Sequence, residues 1–183
     1  MLQNINNIYD WRRYQKAPRS FESNGYYEGA SGPNADHTIQ NGVGYSLFIQ
    51  SYYADSSLWY STISTPVFST DLKDICIDFY YHMYGKDVNI LELYWIRNSQ
   101  NTGDRKYLWH QSYDQGDTWL HFYKTLKAFS GSISFVGHSG WSRDSFIALD
   151  DVKMLEGSCH DSGKYQCTIM YLLWILYYIF FNH

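Results

Sequence analysis

Between Ile75 and Tyr84 the chain alternates without a break. Ile75, Ile77, Phe79, Tyr81 and Met83 hold one parity, and Cys76, Asp78, Tyr80, His82 and Tyr84 hold the other. A period of two is that of a strand with one face on a core, and a helix cannot present such a pattern as a single stripe. Other segments repeat the signal: Gly44 to Gln50 and Leu58 to Ser64, each bounded by Gly, Pro, Asp or Ser, and then Asn89 to Ile96, Tyr107 to Gln111, Thr118 to Leu126, Ser132 to Gly137 and Phe146 to Leu155. In the stretch from Asn89, Leu91, Leu93 and Trp95 share a face. Asp114-Gln115-Gly116-Asp117 reads as a turn, and residues 1–35 as loops around short extended pieces, punctuated by Gly25, Gly29, Gly32 and Pro33. No helical stripe precedes residue 160. A set of about eight or nine strands with no intervening helices predicts an all-β sandwich or jelly roll.

Composition points the same way. Of the 183 residues 20% are aromatic, including 19 Tyr and 7 Trp, while 17% are charged, a balance that suits half-buried pleated surfaces. The length suits one domain with extensions, able to bury about two-thirds of its unfolded surface. A net charge of −4 argues against nucleic acid as a partner.

Residues able to do chemistry are scattered. His37, His82, His110, His121 and His138 show neither an HExxH nor a paired-ligand spacing, and read as packed or solvent-facing strand residues. Ser139 in Gly137-His138-Ser139-Gly140 lacks the spacing and the following helix of a hydrolase elbow. The glycines are too dispersed for a phosphate loop. The expectation is a protein that is not an enzyme. Three cysteines, Cys76, Cys159 and Cys167, leave one over in any intrachain pairing, and their spacing matches neither a zinc knuckle nor a CxxC redox site. Cys76 opens a strand and Cys159 follows the last one. They are either a disulfide tying the end of the domain to its middle, worth roughly 4 kcal/mol in an oxidising compartment, or two unrelated buried thiols.

The ends differ from the middle. Met1 to Asn7 shows no secretory signal, and no Asn-x-Ser/Thr sequon occurs. His160 to Gln166 reads as a polar linker, and Cys167 to Phe181 is uncharged and strongly apolar. As a helix that tail would reach roughly 22 Å, short of the ~30 Å hydrocarbon core. It is a marginal membrane segment, or part of a removable lipid-anchor signal with a short spacer, or a docked C-terminal helix, or sequence read past the natural end of the domain.

Read in order, many short motifs resemble the MAM domain. They are Asp10-Trp11-Arg12-Arg13, Gly32-Pro33 with Asp36-His37-Thr38, Gly42 to Tyr45, Ser64-Thr65-Pro66, Cys76 to Gly85 and Leu91-Glu92-Leu93-Tyr94. Leu108-Trp109, Gly116 with Trp119, Ser134-Phe135-Val136 and Ile147-Ala148-Leu149-Asp150-Asp151-Val152 with Cys159 complete them. The resemblance runs from about Tyr9 to Cys159. It implies residues 1–159 as a jelly-roll-like sandwich of two antiparallel sheets, residues 160–166 as a linker and 167–183 as an apolar tail. It also implies a Cys76–Cys159 disulfide. The family's opening strand with its cysteine pair should precede Asp10 and is not seen, so the chain is expected to be a fragment with an exposed sheet edge.

By resemblance the function is that of a non-catalytic extracellular interaction or adhesion module, part of a larger membrane protein, pairing with an extracellular protein and in some cases with itself. A membrane contact would run through residues 167–181. Two alternatives stand beside this. One is a carbohydrate-binding jelly roll using Trp59, Trp109, Trp119 and Trp141 as a sugar platform, and the other is the accessory domain of an ectoenzyme. Family members that bind a cation at the end of the sandwich point to a calcium site here. Asp150 shares parity with Ala148 and Val152 and so is expected to face inward, with Asp36 as second ligand and Asp10 as third. The competing reading has Asp150 or Asp151 accepting turn N–H groups and Asp36 capping its own loop.

Overall fold

The structure, a computed structural model, describes residues 11–14, 32–40, 43–50, 60–69, 73–97, 104–138, 140 and 145–159. These form ten strands: β1 (Arg12–Tyr14), β2 (Ser46–Gln50), β3 (Tyr60–Ser64), β4 (Phe68–Ser69), β5 (Ile75–Gly85), β6 (Ile90–Ile96), β7 (Arg105–Ser112), β8 (Leu120–Leu126), β9 (Ser130–His138) and β10 (Ser145–Glu156). No helix occurs among them. One antiparallel sheet runs β1-β2-β10-β5-β8, and the other runs β3-β9-β6-β7 with β4 also paired to β9. The expected sandwich of two antiparallel sheets is therefore what these residues build. The segments of alternating parity become strands, β1 is one of the short extended pieces expected within residues 1–35, and β4 adds a further short strand.

The alternation of β5 explains how the sheets meet. Ile77, Phe79 and Met83 are fully buried between them, and β6 turns Leu91 and Leu93 inward to meet that face. Phe79 sits at the centre, with the ring of Phe135 edge-on at 5.0 Å and those of Phe122 and Trp109 at 5.1 and 5.7 Å. Edge-to-face contacts of this kind stabilise beyond the area they bury.

Each sheet also anchors the open edge of the other. The indole of Trp11, next to β1, donates to the carbonyl of Ser61 on β3 at 3.2 Å, and Lys124 on β8 donates to the carbonyl of Leu108 on β7 at 3.1 Å. Both acceptors lie on edge strands, where an unpaired carbonyl would template association. At the end of the domain Cys76 and Cys159 are joined in a disulfide, with Cα atoms 5.0 Å apart. Thr125 Oγ1 accepts the Cys159 N–H at 2.9 Å and fixes the approach to it. Cys167 and the apolar tail lie outside the described residues.

Candidate functional site

The adjacent carboxylates of β10 lie at a break in its pairing with β5. Register shifts between Asp150 and Lys153, and Asp151 adopts a left-handed φ of 49°. This bulge corrects the parity argument. Ile147 and Leu149 face the core between the sheets, so Ala148, Phe146 and Asp150 lie on the outer face of their sheet, where Ala148 and Phe146 pack with Phe48. Val152 packs against the main core because the bulge has switched the faces. Counting residues by two fails wherever one is inserted.

A loop covers that outer face. The Trp119 indole donates to the carbonyl of Ala35 at 3.1 Å, and His37 stacks on Tyr80 with ring centroids 3.4 Å apart. Asp150, opposite Tyr80 in the ladder, receives the loop through its carboxylate. Asp150 Oδ2 accepts the N–H of His37 at 2.7 Å, and its Oδ1 accepts that of Asp151 at 2.7 Å. Asp151 Oδ2 bonds His37 Nδ1 at 2.8 Å and accepts the Thr38 hydroxyl at 2.5 Å. Asp36 Oδ2 closes the loop on itself by accepting the Ile39 N–H at 2.7 Å. Asp36-His37-Thr38 and Asp150-Asp151 thus form one interlocked unit.

Their electrostatics diverge. Burial raises the pKa of Asp150, and the nearby charges of Asp151 and Asp36 add to this against the two N–H bonds it accepts. Asp151 is also pushed up by burial, but the Thr38 and His37 hydrogen bonds with the charge of Lys153 outweigh that and hold it below its ordinary value. Two neighbouring carboxylates are separated by what each one faces.

Asp36 and Asp150 converge on one loop, while Asp10 lies outside the described residues. Three of the four carboxylate oxygens on Asp36 and Asp150 accept N–H groups; the fourth, Asp36 Oδ1, is buried without a hydrogen-bond partner. A calcium ion takes six to eight oxygens, so this pair offers it one uncommitted oxygen, and the others must come from elsewhere. Among the described residues, no group of three or more His, Cys, Asp or Glu side chains is placed to hold a metal ion.

The histidines are dispersed, each with its own partner. His82 meets Asp117 at 3.1 Å, His121 meets Asp78 at 3.0 Å, His138 meets Glu92 at 2.8 Å, and His110 contacts the Tyr107 hydroxyl. Strand register brings His121 to Asp78 and His138 to Glu92, so no spacing in the sequence reveals these two pairs. Among the tryptophans expected as a sugar platform, Trp109 packs against the core and Trp119 is half-buried under the Ala35 loop, while Trp59 and Trp141 lie outside the described residues. Beside the bulge a cleft of about 140 Å³ opens between the sheets, floored by Leu47, Ile63, Phe135 and Leu149.

The ordered motifs, the two-sheet topology and the disulfide agree with a family comparison. The model of the MAM domain, meprin/A5/mu, matches residues 1–160. The chain belongs to the MAM family. It is 32% identical over 154 residues to thyroid hormone-induced protein B of Xenopus laevis, covering 84% of this chain and 21% of that one. It is 28% identical over 160 residues to human MAM domain-containing glycosylphosphatidylinositol anchor protein 2, covering 82% of this chain and 16% of that protein. The MAM chain thus spans about a fifth or less of the length of these relatives. In fold it is similar to a cleaved adhesin domain of Lys-gingipain from Porphyromonas gingivalis, with a TM-score of 0.57 at 13% identity, covering 86% of this chain and 89% of the other.

Proposed function

We propose that this MAM domain is a non-catalytic extracellular interaction module of a larger protein attached to a membrane. The family match over residues 1–160 carries the reading, and the name of one relative, a glycosylphosphatidylinositol anchor protein, supports the location. The Cys76–Cys159 disulfide fits an oxidising compartment. Physically, the sandwich is a rigid carrier. Its core is locked by aromatic packing, while Tyr60, Tyr107, Tyr113 and Tyr123 stay exposed and offer contact area at low entropic cost.

The partner class is an extracellular protein, which includes a second copy of the same chain. A structural calcium ion belongs to the same proposal, seated at Asp36 Oδ1 with Asp10 and Asp150 as the other carboxylates. The test displays the domain on beads, under non-reducing conditions with calcium. Bead clustering, or labelling of a cell surface, without turnover of any substrate supports the module. Inert beads combined with binding to a neutral-sugar array through the Tyr faces would replace it with the carbohydrate-binding alternative.

A further inference from the structure

We propose that the stem of the β6–β7 hairpin is a binding site for a sulfated polysaccharide. Arg97 follows β6, and Arg105 and Lys106 open β7. The ladder pairs Ile96 with Arg105 and Trp95 with Lys106, and the Arg97 N–H donates to the carbonyl of Asp104 at 3.1 Å. Three cations therefore fall within three adjacent rungs of one hairpin, and all three are exposed.

What holds them differs from what holds two other cations of this protein. Lys73 and Lys127 are paired with Glu156 and Asp74 at 2.7 and 2.5 Å. Arg97, Arg105 and Lys106 pair with no carboxylate among the described residues and rest on aromatic rings instead. Arg97 lies over Trp95 at 5.3 Å, Lys106 over the same ring at 5.9 Å, and Arg105 over Tyr94 at 4.8 Å. A ring face orients a cation without neutralising it, so part of the side-chain ordering cost is met before any anion arrives. The nearby acids are few. Asp104 is exposed beside the cluster, and Glu92 is occupied by the Tyr94 hydroxyl at 3.0 Å and by His138. Neighbouring strand residues face opposite ways, so Arg97 and Lys106 lie on the Trp95 face of the stem and Arg105 on the Tyr94 face, and together they make this end of the hairpin positive on a chain of net charge −4.

The chemistry of the patch selects among polyanions. Guanidinium forks match the oxygens of sulfate and carboxylate groups, and exposed cations on both faces of a hairpin stem suit a polymer that wraps it and offers fixed charge along its length. An acidic peptide adding as a strand to the β7 edge is disfavoured, because the ladder is bulged near Tyr94 and Lys124 already occupies the Leu108 carbonyl. Single-stranded nucleic acid needs exposed rings for its bases, and here Trp95 is only 9% exposed beneath its cations, which leaves Tyr107 as a single exposed ring among the described residues of the stem.

The experiment measures binding of the purified chain to immobilised heparin as sodium chloride is raised. The expected result is retention at low salt, with log K falling against log salt with a slope of about −2 to −3, as three released counterions require. Arg97→Gln/Arg105→Gln/Lys106→Gln should lose about tenfold or more in affinity with an unchanged circular dichroism spectrum, and Lys73→Gln/Lys127→Gln should lose almost nothing. Should the triple variant misfold, Lys106→Gln alone must still flatten the salt slope by about one unit. Binding that survives these changes, equal loss in the Lys73/Lys127 control, equal retention on desulfated heparin, or tighter binding to poly-glutamate or single-stranded DNA would each overturn the proposal. The inference takes from the extracellular reading only the place where such a polymer is met. Failure on heparin leaves the adhesive reading intact, and inert beads leave this one intact.

Discussion

Gly44→Ala tests whether the Asp36 loop is held as described. A methyl group built on Gly44 would stand 2.1 Å from Asp36 Cγ and 2.3 Å from each carboxylate oxygen, so residue 44 is glycine to admit a side chain. Asp36 is 3% exposed, and the carboxylate cannot move aside without releasing the Ile39 N–H. Losing a buried hydrogen bond to a charged acceptor costs about 1.5–3 kcal/mol. Loosening of the His37 and Thr38 contacts to Asp150 and Asp151 adds to this. We expect about 2–3 kcal/mol in urea unfolding, a fall in Tm of roughly 5–10 °C. The decisive arm is the double variant with Asp36→Ala. If the cost comes from collision with that carboxylate, Gly44→Ala adds almost nothing once Asp36 has been shortened. Additive losses would refute the argument and place the constraint in the backbone instead.

Other consequences are equally measurable. Cys76 and Cys159 are separated by 83 residues, and on the chain-entropy relation reduction of their disulfide should cost about 4.5 kcal/mol, read as the shift in urea midpoint with and without reductant. A shift below about 1 kcal/mol would mean that the bridge contributes little. Burial lowers the pKa of His82 against the opposing pull of Asp117 and Asp114, so below pH 6.5 the unfolded chain binds more protons than the folded one. Stability should therefore begin to fall as the pH drops past 6.5 and level off below the folded value. Asp150, raised by burial, acts in the opposite sense toward lower pH, so the slope is best measured just below 6.5. His82→Phe should flatten that slope, and a slope left unchanged would assign it to another group. Calcium should raise the Tm of the chain, and Asp150→Asn should remove that gain; no calcium-dependent shift in the parent would dismiss the cation.

The alternation in Ile75 to Tyr84 and its neighbours was enough to require two-faced strands, because a period of two is a local property of the backbone. It marked Phe79, Leu91 and Leu93 as core without reference to their partners. The Cys76–Cys159 pairing was legible only through the resemblance, since spacing alone left unrelated thiols open. The orientation of Asp150 was misread, because the insertion at Asp151 depends on how β10 lies against β5 and carries no signature in composition. For the same reason the joining of Asp36-His37-Thr38 to Asp150-Asp151 needed the tertiary structure, with more than a hundred residues between them. A net charge of −4 likewise concealed the cations of the β6–β7 stem. Summed charge has no position, whereas the ladder that sets Arg105 and Lys106 across from Ile96 and Trp95 does. Strand type and core identity follow from each residue and its near neighbours, but a site is a relation among distant residues, and only the pairing of strands creates it.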